Sequence, residues 1–192
     1  MKKILFATIL LFSLSARAQF FEQEMNYVNV GYGLGLGYGR ILNAYQAYDG
    51  YDFGGFGPVS LSYERGITDN IGIGAAIGFS TYGATWSQYL YDYKYRWTTL
   101  SIMVRGAYHF NVRNDQFDPY IGAGIGFLKY SYKWESNEPG FNEDAYNVDF
   151  GTPLGYQIFA GARYMFTDNL GAYLEVGYGL AVANAGLTLA ID

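Results

Sequence analysis

The chain contains no cysteine, only 4 proline and a single histidine in 192 residues. Without Cys there is no thiol to carry a lipoprotein anchor and no disulfide to staple the fold, so stability has to come from packing and hydrogen bonding. With one His and no Cys, a structural zinc site has no ligand set, and a Ser-His-Asp constellation has no spacing to support it around His109. An uninterrupted run of roughly 20 apolar residues, as a membrane-spanning helix needs, is also missing. The longest apolar stretch, Ile4 to Leu14, follows Lys2 and Lys3 and precedes Ala16-Arg17-Ala18. That order of basic start, short apolar run and small residues predicts a secretory signal peptide over 1–18, with 19–192 as one mature domain.

Removing Lys2, Lys3 and Arg17 from 12 Lys and Arg leaves 9 against 17 Asp and Glu, a net charge of −8 for the mature part. That sign disfavours nucleic acid as a partner. What is abundant is Gly (26), Tyr (21) and Phe (14), with no Gly-x-y period, which excludes collagen and argues against disorder.

These residues fall in a period of two. Val28, Val30, Tyr32, Leu34, Leu36 and Tyr38 alternate with Asn29, Gly31, Gly33, Gly35 and Gly37. Ile71, Ile73, Ala75, Ile77 and Phe79 alternate with Gly72, Gly74, Ala76, Gly78 and Ser80, and Ile121, Ala123, Ile125 and Phe127 with Gly122, Gly124 and Gly126. A glycine face offers little side-chain area to bury, so it makes a poor core for a water-soluble barrel. Apolar outside and small or polar inside is the pattern of a transmembrane barrel. Eight segments are predicted as strands, at 26–38, 57–65, 70–82, 96–110, 119–132, 154–166, 170–180 and 184–191. Short turns at 66–69, 111–118 and 167–169 alternate with longer loops at 39–56, 83–95 and 133–153, and a last, very short connection lies near 181–183. The predicted fold is therefore all-β, an eight-stranded antiparallel up-and-down transmembrane barrel, with short turns on the periplasmic side.

Ile67-Thr68-Asp69-Asn70-Ile71-Gly72 and Phe166-Thr167-Asp168-Asn169-Leu170-Gly171 repeat the same Thr-Asp-Asn turn 99 residues apart, a shared hairpin solution. The GxGxxG-like runs at Gly31 to Gly37 and Gly122 to Gly126 lie within strands with no helix after them, so no dinucleotide cofactor is implied.

Through Tyr32-Gly33-Leu34-Gly35-Leu36-Gly37, Pro119-Tyr120-Ile121-Gly122-Ala123-Gly124-Ile125-Gly126 and Leu174-Glu175-Val176-Gly177-Tyr178-Gly179, the chain resembles the small outer-membrane β-barrels of the OmpA/OmpX type, as found in Bacteroidota. The resemblance covers essentially the whole mature part and implies an outer-membrane location in a Gram-negative bacterium.

Phasing each strand by its apolar neighbours turns Glu64, Arg105, Arg163 and Glu175 inward, each four or five residues from a short turn. Two carboxylates and two guanidiniums at one level can neutralise one another, as buried charge requires. An eight-stranded barrel is just wide enough for side chains to fill, so this set is expected to act as an ionic plug. The competing reading is a gate in a narrow, porin-like channel for small solutes or apolar molecules. Tyr108, Phe110, Tyr164 and Phe166 at the turn end, and Tyr38, Phe79, Trp97, Phe127 and Tyr178 at the loop end, are expected on the outward face as interfacial rings.

Recognition is expected in the loops. Candidate contacts are Tyr48 and Tyr51 in the first, and Trp86, Tyr89, Tyr91 and Tyr93 in the second. The third loop carries Glu135, Glu138, Glu143, Asp144 and Asp149 in a spacing that matches no calcium-loop template, and is read as solvated decoration. No enzymatic activity, cofactor or metal is expected. The partners are outer-membrane lipid and a surface ligand or protein at the loops, with the barrel a monomer.

Overall fold

The computed structural model describes residues 21–34, 51–112 and 114–191. Eight strands run β1 (Asn26–Leu34), β2 (Tyr51–Gly66), β3 (Ile71–Gln88), β4 (Tyr91–His109), β5 (Phe117–Ser136), β6 (Val148–Met165), β7 (Leu170–Tyr178) and β8 (Ala183–Ile191), with a one-turn helix α1 (Glu143–Tyr146) between β5 and β6. Each pairs antiparallel with its neighbour, and β1 closes on β8 from Asn26↔Ile191 to Leu34↔Ala183. Closure leaves no edge along the shared height, which backbone in hydrocarbon demands.

Alternation fixes the two faces. Val30, Leu61, Ile73, Ile77, Ile102, Val104, Ile121, Ile125, Leu174 and Leu187 are exposed on the outside, while Asn29, Ser62, Glu64, Arg105, Arg163 and Glu175 are buried inside. No helix among the described residues is long and apolar enough to cross a membrane.

The two echoed turns are built alike. Thr68 Oγ1 accepts from the backbone N–H groups of Asn70 (3.2 Å) and Ile71 (3.0 Å), and Thr167 Oγ1 from those of Asn169 (3.4 Å) and Leu170 (3.0 Å). In each the Asn side chain then donates to a neighbouring strand, Asn70 to the carbonyl of His109 (2.9 Å) and Asn169 to that of Ala190 (3.2 Å). Short polar side chains that bond local backbone explain the repeat.

The loop end departs from expectation. The predicted second loop, 83–95, is almost entirely strand: β3 and β4 stay in register from Ile71↔Tyr108 to Gln88↔Tyr91, leaving only Tyr89 and Leu90 at the tip. Likewise β5 runs on to Ser136, β2 begins at Tyr51 and β6 at Val148, so the third loop shrinks to 137–147. The cause is a change of code. Beyond the lipid-facing stretch, period two continues as aromatic against charged, as in Tyr91, Tyr93, Tyr95 and Trp97 against Asp92, Lys94 and Arg96. Trp97 was expected outward, but the unbroken register of β4 keeps it on Arg105's face, where it is buried against Tyr132 with ring centroids 5.2 Å apart. Tyr38 lies outside the described residues, and Phe79, Phe127 and Tyr178 are exposed as expected.

The interior is also bulkier than a small or polar face suggests. Tyr27, Tyr120, Phe159, Tyr173, Met103 and Met165 are all buried there. Glycine makes the room: a Cβ on Gly161 would sit 2.8 Å from both Tyr120 and Glu175, and one on Gly122 would run into the Phe159 ring. Small residues on one strand are the sockets for large ones on another.

Candidate functional site

The four charged residues expected inside the barrel are all there, each 4% exposed or less. They come together as two linked pairs. Arg105 on β4 forks onto Glu175 on β7, at 2.5 Å and 3.3 Å to the two carboxylate oxygens. Arg163 on β6 bonds Glu64 on β2 and, at 3.2 Å, Asp118 at the start of β5. His109 bridges the carboxylates, Nε2 at 2.8 Å from Glu64 and Nδ1 at 2.7 Å from Asp118. Both ring nitrogens can donate only from the imidazolium form. In that form Arg105, His109 and Arg163 balance Glu64, Asp118 and Glu175, so the buried charge sums to zero.

Aromatic rings wall this network. The Arg105 guanidinium lies 3.7 Å from the centroid of Phe159, that of Arg163 lies 4.5 Å from Tyr27 and 4.9 Å from Tyr120, and the Tyr120 hydroxyl donates to Glu175 at 3.0 Å. Toward the loop end a neutral layer follows, in which the Asn184 amide donates to Ser60 (2.7 Å) and Tyr173 (2.9 Å), and Asn29 to Ser62 (3.0 Å). At the turn end, Phe21, Tyr27, Met165 and Ala190 form an apolar floor. Phe21 lies flat on His109, with centroids 3.5 Å apart and planes 3° from parallel.

Sequence reasoning missed three members. Asp118 was assigned to a turn, although the outward phase of Ile121 already turns Tyr120 and Asp118 inward. His109 was weighed only as a catalytic or metal-binding residue and left outside the ionic set. Phe21 precedes the first strand, where no periodicity marks it. Glu64 and Asp118 take opposite sides of the His109 ring and so do not converge on a metal-sized point, and among the described residues no cluster suited to a metal is found.

A second candidate surface stands above the barrel, on the extensions of β2 to β5. On the side continuous with the lumen, Tyr51 stacks on Trp86 (5.1 Å, 8°) and Trp86 on Tyr93 (5.5 Å, 14°), while Tyr95 leans on Trp134 (5.0 Å). Of the expected loop contacts, Tyr51, Trp86 and Tyr93 are thus brought together and Tyr91 follows Tyr93 on the same face of β4. Tyr89 stands alone at the tip, 94% exposed, and Tyr48 lies outside the described residues. Trp86 from this side and Asp52, Asp92, Lys94 and Glu135 from the outward face, with Glu143, line a cleft of about 810 Å³ at the rim.

Three of the third loop's five acidic residues, Glu135, Glu138 and Asp149, are held by donors. Glu135 pairs with Lys94 at 2.9 Å, and that hydrogen bond keeps its carboxyl below the usual range. Asp149 is lowered by its hydrogen bond to Ser131 and then by Lys129, 3.3 Å away. The Tyr93 hydroxyl donates to Glu138 at 2.7 Å, which raises the phenol above its ordinary value.

No curated protein matches the chain. Among solved structures it is similar to the N-terminal β-barrel domain of Pseudomonas aeruginosa OprF (16% identity, 88% of this chain and 98% of that one, TM-score 0.43). It is also similar to Ail, the attachment invasion locus protein of Yersinia pestis, in complex with the heparin analogue sucrose octasulfate (11%, 88% and 95%, TM-score 0.45). A third is the outer membrane protein OprG of Pseudomonas aeruginosa (11%, 92% and 99%, TM-score 0.43). The model of the outer membrane protein beta-barrel domain matches residues 4–187, nearly the whole length, and the chain belongs to that family.

Proposed function

We propose that this protein is a sealed outer-membrane scaffold, delivered by a cleaved leader over residues 1–18, that holds an aromatic-lined sheet above the outer leaflet for surface contacts or envelope integrity. The short turns face the periplasm, and the extended hairpins stand outside the cell. One observation carries the reading: the barrel is filled across its section by fully buried Arg163, Tyr27, Tyr120, Phe21, Met103 and His109. A side-chain-filled eight-stranded barrel has no room for a water-filled path, so function moves to what protrudes. Rigid Tyr and Trp rings offer large contact area at small entropic cost.

Single-channel recording of the folded protein in planar bilayers tests this, beside a Glu64→Ala/Arg105→Ala double variant. A silent wild type with a conducting variant supports the plug. Steady wild-type conductance sinks the sealed scaffold and makes the protein a narrow channel for small solutes.

A further inference from the structure

The outward face of the raised sheet differs from its ringed inner side. Registers place Gly54, Gly83, Arg96 and Lys133 in one row across β2, β3, β4 and β5, with Arg96 directly opposite Lys133. Like charges facing each other across a strand pair are destabilising unless something anionic lies between them. The rows on either side hold carboxylates already engaged by other cations: above, Glu135 pairs with Lys94, and below, beside Thr98 and Ser131, Asp149 pairs with Lys129 from the next outward row down, so both reach Arg96 and Lys133 only at longer range. Arg96 and Lys133 are exposed, and among the described residues neither has a carboxylate within 4.0 Å. Four of the nine cations of a net acidic mature chain therefore share this small area.

Space accompanies the charge. Beside Arg96, the glycines leave a cleft of about 380 Å³, lined by Asp52, Gly54, Thr81, Gly83, Lys94 and Arg96. A Cβ built on Gly54 meets nothing within 4 Å, so the floor is open.

Height identifies the occupant. The last outward apolar residues are Phe79 on β3, Leu100 on β4 and Phe127 on β5, with Phe56 on β2 one outward row higher, and Arg96 lies four positions beyond Leu100 along β4. Four residues rise about 13 Å along a strand, which a tilt of about 45° reduces to roughly 9 Å along the membrane normal. The headgroup zone is roughly 5–8 Å deep, and long cationic side chains reach several ångströms toward it. We infer that the Arg96–Lys133 row and the adjoining glycine-floored cleft bind the phosphate-bearing sugar headgroup of an outer-leaflet glycolipid. The guanidinium and ammonium take the phosphate, while Asp52 at the cleft can accept from sugar hydroxyls.

Native mass spectrometry of the folded protein in zwitterionic micelles tests this with diphosphoryl lipid A, its dephosphorylated form and glucosamine 1-phosphate as probes. Diphosphoryl lipid A should bind about tenfold more tightly than the dephosphorylated lipid, the scale of one lost charge-assisted contact. Arg96→Gln/Lys133→Gln should abolish that difference, and Lys133→Gln alone should reduce it, giving a reading even if the double variant does not fold. Arg65→Gln, an exposed outward cation at the turn end, should change nothing. Equal binding of the two lipids, or an equal loss in Arg65→Gln, would overturn the inference. Displacement of the lipid by equimolar glucosamine 1-phosphate would overturn the lipid source and leave a site for free sugar phosphates.

Discussion

Arg163→Met is the sharpest probe of the sealed interior. Arg163 is fully buried, and its guanidinium is shared between Glu64 and Asp118. Methionine fills much of the volume but leaves two carboxylates with only His109 between them, so the network drops from zero net charge to −1. Breaking a buried pair from one side costs about 3–5 kcal/mol, because the surviving charge stays desolvated. With a urea m-value of about 2 kcal/mol/M, the unfolding midpoint in lipid vesicles should fall by roughly 2 M. Adding Glu64→Gln restores neutrality and leaves the His109–Asp118 pair whole. The double variant should therefore recover about 2 kcal/mol, the non-additivity expected of residues in one network. Tryptophan fluorescence against urea, with matched refolding, reads all three proteins. A loss below about 1 kcal/mol in the single variant, or a double variant weaker than the single, would refute charge compensation as what holds this core together.

Further outcomes follow from other contacts. Phe21→Ala removes the ring stacked on His109 and should cost about 3 kcal/mol in the same unfolding assay. Trp86→Ala deletes the middle ring between Tyr51 and Tyr93, so amide exchange should quicken in 82–97 while strand residues below Leu100 keep their protection. For Glu135, whose carboxyl is lowered from 4.5, the contribution of its pair with Lys94 is in place above about pH 4.5 and fades as pH falls through the lowered value. Carbon-detected NMR titration should show that value returning toward 4.5 in Lys94→Ala.

How far the sequence carries depends on which side of the lipid boundary a residue lies. Inside it, apolar and glycine positions alternate without interruption, and that alone turns Glu64, Arg105, Arg163 and Glu175 inward, where the structure buries them. Asp118 was lost because an acid beside Pro119 at the end of a short connection reads as turn chemistry. Beyond the boundary the apolar face has no solvent reason to stay apolar. Strand content there is written as Tyr and Trp against Lys, Arg and Asp, and reads as loop to an eye tuned to lipid. The fit of Phe159 against Gly122, or Tyr120 against Gly161, joins residues on different strands, so no local pattern can report it.

The strand lengths themselves argue for a division between the two candidate surfaces. β7 and β8 have 9 residues each, close to the least a tilted strand needs to cross hydrocarbon. β3, β4 and β5 have 18, 19 and 20, so about half of each stands clear of the lipid on one side of the barrel. On the β6–β7 side that surplus has no paired neighbour among the described residues, since β7 meets β6 only as far as Ile158. Its cohesion must come from its own two faces, the ring stacks within and the Lys94–Glu135 and Lys129–Asp149 pairs without. A sheet held by exposed contacts gains most from a ligand that adds to them. The Arg96–Lys133 row, where two cations face each other directly and the neighbouring carboxylates act only at longer range, is therefore where binding should stabilise the sheet most.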